Sequence, residues 1–217
     1  FATAINAAGQ VAGGADTAGG GRHATVWNGT TATDLGTLGG TDSSAHAINT
    51  AGIVAGYSQT SNNAAFHATV WNGTTATDLG TLGGTDSMAN AINTAGQVAG
   101  WSDTANGAAR ATVWNGTTAT DIGTLGGTHS AAYAINNAGQ VVGRSDTANG
   151  TTHATVWNGT TATDLGTLGG TFSQANAIND AGQVVGSSYP ANNPNNNAYR
   201  ATIWNGTTAT DLNSFLD

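Results

Sequence analysis

Short runs of small, β-branched and aromatic residues alternate with turn signals along the whole chain, and no run has the 3.6-residue period of a helix. Residues 128–170 show the pattern once in full. Strands are predicted at 128–136, 140–145, 153–157 and 160–165, because these segments alternate small or β-branched residues and stop at turn-forming ones. Asn137-Ala138-Gly139 predicts a tight turn, 146–150 a polar loop, and Asn158-Gly159 a hairpin. The segment therefore predicts four antiparallel strands.

This pattern recurs about every 43 residues. Ile-Asn pairs begin at Ile5, Ile48, Ile92, Ile135 and Ile178, and Trp-Asn-Gly begins at Trp27, Trp71, Trp114, Trp157 and Trp204. The repeats divide the chain at 1–40, 41–84, 85–127, 128–170 and 171–217. Four short strands per repeat at this period are typical of propeller blades. We therefore predict an all-β single domain, a five-bladed β-propeller with four antiparallel strands per blade, in which the tryptophans pack between blades.

A β-solenoid is the main alternative architecture. A solenoid rung is closer to half this length, no half-repeat is visible, and open solenoids need atypical capping repeats at both ends. A closed ring fits these observations better. The chain begins within a repeat at Phe1, which is what a piece of a longer protein would show.

The composition limits the partners. Only 7% of the 217 residues are charged, all twelve acidic residues are Asp, and the net charge is −8. Nucleic acids and anionic lipids both need basic patches, so neither is expected as a partner. There is no cysteine and no apolar run long enough to span a membrane, so neither disulfides nor membrane insertion is predicted. The high content of Gly, Thr, Asn, Ala and Ser is typical of secreted or cell-surface bacterial repeat proteins, so we expect one of these locations. For the oligomeric state, we favour a monomer.

Several recurring strings carry a resemblance to a known family. Asp-Leu-Gly-Thr-Leu-Gly-Gly occurs at 34–40, 78–84 and 164–170, together with Ala-Ile-Asn, Gly-Gln-Val-Val-Gly and His-Ala-x-x-Trp. The chain thereby resembles, over nearly its whole length, the bacterial HAF-type extracellular repeat family. It departs from the naming motif His-Ala-Phe, which here reads His23-Ala24-Thr25 or Arg110-Ala111-Thr112. The resemblance implies an extracellular repeat protein without a defined activity.

Each repeat sets a His or Arg against an Asp. If Asn28-Gly29 forms the centre of the hairpin turn, Trp27 lies opposite Thr30, and His23 lies opposite Asp34. The same counting gives the pairs His67 with Asp78, Arg110 with Asp121, His153 with Asp164 and Arg200 with Asp211. Because arginine replaces histidine in two of five similar copies, a structural role is favoured over a catalytic one. No catalytic residue, metal or cofactor is predicted.

Variation between the repeats is confined to a few places. The stretches Gly13–His23, Gly56–His67, Gly100–Arg110 and Gly143–His153 span 10, 11, 10 and 10 positions, and Gly186–Arg200 spans 14. Tyr57, Trp101 and Arg144 stand just before this loop, and His46 and Tyr133 stand on the side of the first strand that is predicted to be free of packing. Aromatic residues and Arg are frequent interface anchors. These five residues are candidate ligand contacts, with neutral drift on a solvent-facing surface as the alternative.

The sequence thus predicts a non-enzymatic extracellular scaffold or interaction module, with a protein or a glycan of unknown identity as its partner. A multivalent lectin-like propeller is the second interpretation, since five similar sites would multiply weak sugar contacts. Only Tyr57 and Trp101 match in kind, which counts against five equivalent sugar sites. A hydrolase is disfavoured because no unique cluster of acidic residues and histidines remains outside the structural pairs.

Overall fold

The computed structural model describes residues 1–191 and 199–216, and its regular secondary structure is mainly strand, with twenty strands in this part of the chain. They follow one another as five four-stranded modules. Module 1 contains β1 (Ala2–Ile5), β2 (Val11–Asp16), β3 (Arg22–Asn28) and β4 (Thr31–Asp34). Module 2 contains β5 (Gly39–Ile48), β6 (Val54–Thr60), β7 (Phe66–Asn72) and β8 (Thr75–Asp78), with a 3-10 helix at Ser61–Asn63.

The remaining modules repeat this order. Module 3 contains β9 (Gly83–Ile92), β10 (Val98–Thr104), β11 (Ala109–Asn115) and β12 (Thr118–Asp121). Module 4 contains β13 (Gly126–Ile135), β14 (Val141–Thr147), β15 (Thr152–Asn158) and β16 (Thr161–Asp164). Module 5 contains β17 (Gly169–Ile178), β18 (Val184–Pro190), β19 (Arg200–Asn205) and β20 (Thr208–Asp211), followed by a 3-10 helix at Leu212–Phe215.

Within a module the strands pair in chain order, each antiparallel to the next. Modules 1, 2 and 3 form separate four-stranded sheets, whereas a single parallel pairing of Thr152 with Phe172 joins modules 4 and 5 into one eight-stranded sheet. The prediction of an all-β chain is confirmed. The first strands of the five modules begin at residues 2, 39, 83, 126 and 169, within two residues of the repeat divisions drawn from the sequence at 1, 41, 85, 128 and 171.

The chain divides into two compact units. The first comprises Phe1–Ala108 with Thr112–Thr120, and so holds modules 1 and 2 and most of module 3. The second comprises Ala109–Ala111 with Asp121–Asp217, and so holds modules 4 and 5.

The hairpin after each tryptophan differs from the prediction. In module 1, Asn28 pairs with Thr31 and Trp27 with Ala32, so the two turn residues are Gly29 and Thr30, not Asn28 and Gly29. Gly29 has a φ of +60°, and glycine at the first of two turn positions is the pattern of a type II′ hairpin. The predicted loop 146–150 is also shorter, because β14 continues through Thr147.

Alanines and one tryptophan form the core between neighbouring modules. Trp71 of module 2 is fully buried against Ala12 and Ala24 of module 1, beside Leu35 of the connecting segment and Val54. Trp114 occupies the same position against module 2, and Trp204 against module 4. For these three residues, the predicted packing between repeats is confirmed. Trp27 of module 1 differs, because it is only partly buried.

A β-bulge interrupts the first strand of every module. In module 2, Ala45 pairs with Gly56 and Ala47 with Ala55, which leaves His46 as the extra residue. Gly56 stands where the bulged strand comes closest, since a Cβ atom there would lie 2.0 Å from the Ser44 carbonyl oxygen. Glycine occupies the same place in every other module, at Gly13, Gly100, Gly143 and Gly186. Only a residue without a side chain fits opposite the bulge.

Candidate functional site

Three of the five predicted cation–aspartate pairs are brought together in half-buried positions. The Nδ1 atoms of His23, His67 and His153 lie 2.8 Å from carboxylate oxygens of Asp34, Asp78 and Asp164. The register places Thr25, rather than His23, opposite Asp34, so the contact is diagonal across the ladder. The pairs of Arg110 with Asp121 and of Arg200 with Asp211 stay predictions.

The aspartate of each pair also holds the start of the connection to the next module. Asp34 Oδ1 accepts a hydrogen bond of 2.8 Å from the Gly36 N–H. Burial raises the pKa of Asp34. The hydrogen bond from Gly36, together with the hydrogen bond and charge of His23, lowers this pKa by a larger total amount, so it lies below its ordinary value. Asp78, Asp121 and Asp164 bind the N–H groups of Gly80, Gly123 and Gly166 in the same way. In modules 1 to 4 this carboxylate therefore fixes the same turn.

The sequence predicted that His46 lies on a strand side that is free of packing, but its side chain is packed. It is the bulge residue, its side chain turns towards module 3, and its Nδ1–H donates to the Ala89 carbonyl oxygen at 3.0 Å. Burial lowers the pKa of His46 more than the hydrogen bonds to Ala89 and Asn90 raise it. Its ring also meets Tyr57 edge-on, with centroids 5.4 Å apart. The His46 ring therefore packs against the Tyr57 ring and supports its position.

Tyr57 and Trp101 come together in one cavity between modules 2 and 3. The cavity measures 190 Å³, and Phe66, Met88, Asp86 and Ser87 complete its lining. The ring of Phe66 stands edge-on to that of Tyr57 at a centroid distance of 5.4 Å. Phe66 is 40% exposed, and its backbone N–H donates to Asp86 Oδ1 at 2.9 Å. We call this cavity the aromatic groove.

A second cavity continues on the other side of Tyr57 and Phe66. It measures 320 Å³, lies between modules 1 and 2, and is lined by Asp16, Arg22 and Asp42 as well as by the two aromatic rings. Arg22 Nε donates to Asp16 Oδ1 at 2.9 Å. The Arg22 N–H and the Thr41 hydroxyl bind Asp42 and hold its pKa below the ordinary value. We call this second cavity the polar pocket. Tyr57 and Phe66 are thus shared by an apolar and a charged depression.

The two other candidate contacts, Tyr133 and Arg144, belong to module 4 and pair with each other. Tyr133 is the bulge residue of β13. Burial raises the pKa of its hydroxyl by more than the charge of the nearby Arg144 lowers it, so this pKa lies above its ordinary value. The Arg144 guanidinium carbon lies 6.0 Å from the centre of the Tyr133 ring, at the outer limit of a cation–π contact. Tyr133, like His46, was wrongly interpreted as unpacked. Arg144 is exposed.

Sequence reasoning missed several aromatic residues. Phe66 lines both cavities, and Phe172, Tyr189 and Tyr199 form a separate cluster in module 5 with ring centroids 4.6 to 5.8 Å apart. Phe66 and Tyr199 both stand directly before the His or Arg of the structural pair, a place that holds Arg22, Ala109 and Thr152 in the other repeats. The variation at this repeat position was the signal in the sequence that could have revealed Phe66 and Tyr199. The long stretch Gly186–Arg200, noted for its length, lies partly outside the described residues.

The part of the chain that the structure describes, residues 1–191 and 199–216, was compared with two familiar features, a metal site and a membrane-spanning helix, and it contains neither. No group of three or more His, Cys, Asp or Glu side chains there could hold a metal ion. None of the helices in that part of the chain has the length and apolar character needed to cross a membrane.

Comparison with known proteins supports the architecture. No family model and no curated protein matches the chain. Among solved structures, the chain is similar to the protein named "putative TolB" from Agrobacterium tumefaciens, with a TM-score of 0.60 and 10% identity over 92% of this chain and 79% of that one. The likeness is one of fold. The chain has an all-β fold of the β-propeller kind.

Proposed function

We propose that the protein is a non-enzymatic interaction module of the β-propeller type, with its five repeats as five blades, which binds its ligand in the aromatic groove. One observation carries this proposal. Tyr57, Phe66 and Trp101 are aromatic side chains at positions that vary between repeats, and these three gather around a single cavity between modules 2 and 3. Loops on a rigid scaffold are common binding sites, and clustered aromatic side chains are common interface anchors.

The lining of the groove favours a ligand with both apolar and polar parts. Tyr57, Trp101 and Met88 offer apolar surface, Asp86 lies at the same cavity, and the polar pocket beyond Phe66 adds Asp16 and Arg22. A polypeptide segment that lays one apolar side chain in the groove and a charged one in the pocket would match this order. Arg22 and the aspartates would then set its direction, because ion pairs select orientation more than they add affinity.

A non-enzymatic role is supported by the repetition of the most reactive groups. His23, His67 and His153 are each bound to an aspartate that also holds a glycine N–H, so the same arrangement serves the fold in three modules. An active site needs one distinctive copy. The extracellular location is supported by the Gly-, Thr- and Asn-rich composition and by the resemblance to HAF-type repeats.

Sugar binding is the second candidate function. Aromatic rings beside carboxylates suit the apolar and hydroxylated faces of a pyranose, and Trp101 and Asp86 lie in one cavity. A multivalent lectin would need the same lining in every module. Arg144 and Ser187 occupy the positions of Tyr57 and Trp101 in modules 4 and 5, so a single sugar site is the form this function would take.

The test uses the intact chain against a displayed peptide library and against a glycan array. Trp101→Ala and Tyr57→Ala should each weaken binding of the selected ligand at least tenfold, about 1.4 kcal/mol. Arg144→Ala is the matched control, because it changes the same repeat position in module 4, and it should leave affinity unchanged. Selection of peptides supports the interaction module, selection of glycans supports the sugar site, and equal losses in all three variants would contradict the assigned groove.

A further inference from the structure

Asp86 is the one charged side chain among the six residues that line the aromatic groove. It is half-buried, and its Oδ1 accepts a hydrogen bond from the Phe66 N–H at 2.9 Å. Within residues 1–191 and 199–216, no other hydrogen bond or ion pair to the Asp86 carboxylate is formed. The Asp86 N–H donates to Asp103 Oδ2 at 3.3 Å, so a second carboxylate lies next to it. The groove is therefore mostly apolar but negatively charged at one place.

The polar pocket is the same depression one module earlier in the chain. The residues that hold equal repeat positions in the two linings are Asp42 and Asp86, Ser43 and Ser87, and Tyr57 and Trp101. Both aspartates are anchored by the preceding module in the same way. The Arg22 N–H donates to Asp42 Oδ1 at 2.9 Å, which matches the bond from Phe66 to Asp86.

The two depressions differ in their positive charge. Arg22 lines the polar pocket and supplies a guanidinium there, whose Nε lies 2.9 Å from Asp16 Oδ1. In the aromatic groove the same repeat position holds Phe66, which carries no charge. The groove between modules 2 and 3 thus retains the carboxylate of Asp86 without the cation that its counterpart has.

A ligand that fills the groove must compensate the charge of Asp86. An entirely apolar side chain would exclude water from this carboxylate without giving it a partner, which is strongly unfavourable. A cation would pair with Asp86 and would also lie near aromatic rings, whose faces attract positive charge. Arginine meets both demands, because its methylene stem covers apolar surface and its planar guanidinium stacks on rings while it binds a carboxylate.

We infer that the aromatic groove binds an arginine side chain of the polypeptide ligand. The inference rests on the proposed function and specifies the side chain that enters the groove, whose apolar part is the methylene stem of the arginine. In this arrangement the stem lies along Met88 and Trp101, and the guanidinium donates to Asp86 Oδ2. The net charge of −8 favours the approach of a cationic segment.

The experiment measures binding of the intact chain to synthetic peptide pools that differ at one fixed position and have random flanking residues. The fixed residue is arginine, lysine, citrulline, norleucine or glutamate, and citrulline has the shape of arginine without its charge. We expect the arginine pool to bind at least tenfold more tightly than the citrulline, norleucine and glutamate pools, because only a cation compensates the carboxylate. It should also bind more tightly than the lysine pool, because an ammonium stacks less well on aromatic rings.

Two pairs of variants test the role of the charge. Asp86→Asn keeps an oxygen for the Phe66 N–H, so it should fold, which circular dichroism verifies, and it should bind the arginine and citrulline pools equally. Asp180→Asn is its control, because it removes one negative charge at an exposed position of module 5, and it should retain the arginine preference. Phe66→Arg gives the groove the internal cation of the polar pocket and should weaken binding of the arginine pool at least tenfold more than Phe66→Leu does.

Trp101→Ala separates this inference from the proposed function, because it should weaken the binding of every pool that uses the groove. If it does so while the pools bind equally, or while Asp86→Asn retains the arginine preference, the arginine inference is wrong and the proposed function stands. A lysine pool that binds as tightly as the arginine pool would overturn the choice of a guanidinium. Binding that Trp101→Ala leaves unchanged, or no binding to any pool, contradicts the proposed function and this inference with it.

Discussion

His23 Nδ1 lies 2.8 Å from Asp34 Oδ2, although Asp34 stands opposite Thr25 in the ladder between β3 and β4. The carboxylate reaches diagonally to the histidine and forward to the Gly36 N–H. It therefore joins the end of one module to the segment that leads to the next.

Replacing Asp34 by alanine should lower the free energy of unfolding by about 1 kcal/mol, because a charge-assisted hydrogen bond and a turn contact are lost at a half-exposed site. Urea unfolding at pH 7 measures the loss. Asp16→Ala is the control, since its ion pair with Arg22 is largely exposed, and it should change stability by less than about 0.5 kcal/mol. Equal losses would mean that Asp34 is only another surface charge.

The same variant has a defined pH dependence. The pKa of Asp34 is lower in the folded chain than its ordinary value of 3.8. Its stabilisation is therefore fully present above that ordinary value and is lost as the pH falls through the folded pKa. The stability difference between the unmodified chain and Asp34→Asn should shrink over that acidic range and stay constant above it.

His46 predicts a second pH effect at milder acidity. Burial holds its pKa below the ordinary value of 6.5, so the unfolded chain binds a proton more readily than the folded one. Stability contributed by the neutral ring is present above pH 6.5 and is lost as the pH falls through the folded pKa. Between pH 7.5 and 5, the melting temperature of the unmodified chain should fall by about 2 °C more than that of His46→Gln. His129→Gln, which changes a mostly exposed histidine, should not reduce the fall.

Gly56→Ala should be among the most destabilising single-methyl changes in the chain. The new Cβ would lie 2.0 Å from the Ser44 carbonyl oxygen, a backbone atom that cannot turn away. We expect a loss of about 3 kcal/mol. Gly73→Ala is the comparison: it has open space around it but a φ of +58°, so it should cost about 1 kcal/mol. A larger loss at Gly73 would contradict the close approach at the bulge.

The repeated tryptophans should differ according to whether a preceding module covers them. Trp71→Ala empties a fully buried site between modules 1 and 2 and should cost about 3–5 kcal/mol. Trp27→Ala changes the corresponding but partly exposed residue of module 1 and should cost less than half as much. Thermal melting of the two variants beside the unmodified chain measures both losses. Equal losses would show that Trp27 is covered as well as Trp71 is.

The existence and order of the strands could be predicted because the signals are local and repeated five times. The hairpin register was wrong because Asn-Gly is the usual signal for a turn centred on those two residues, whereas Gly29 and Thr30 form the turn. The consequence is small. The ladder shifts so that Trp27 faces Ala32 instead of Thr30, and a shift of two residues keeps every side chain on its face. The histidine and aspartate therefore still meet.

The candidate site was harder to predict because the bulge leaves no local signal. His46 and Tyr133 look like members of an alternating strand, and only the pairing of Ala45 with Gly56 and of Ala47 with Ala55 reveals the extra residue between them. The bulge turns both side chains away from solvent. Tyr57 and Trp101 were predicted because variation at one repeat position is visible in the sequence. Their meeting with Phe66 depends on the packing of modules 2 and 3.

The last strand of each module bears on the tendency of so repetitive a chain to aggregate. Near-identical segments are prone to cross-β stacking, because an open strand edge is a template for any copy of itself. Here the last strand, which forms one edge of each module, is four residues long, reads Thr-Ala-Thr-Asp in every module, and ends in an acid. An incoming strand meets a short polar ladder that stops at a negative charge. Five of the twelve aspartates of this chain thus stand at strand ends, where a negative charge disfavours extension of the ladder by another copy.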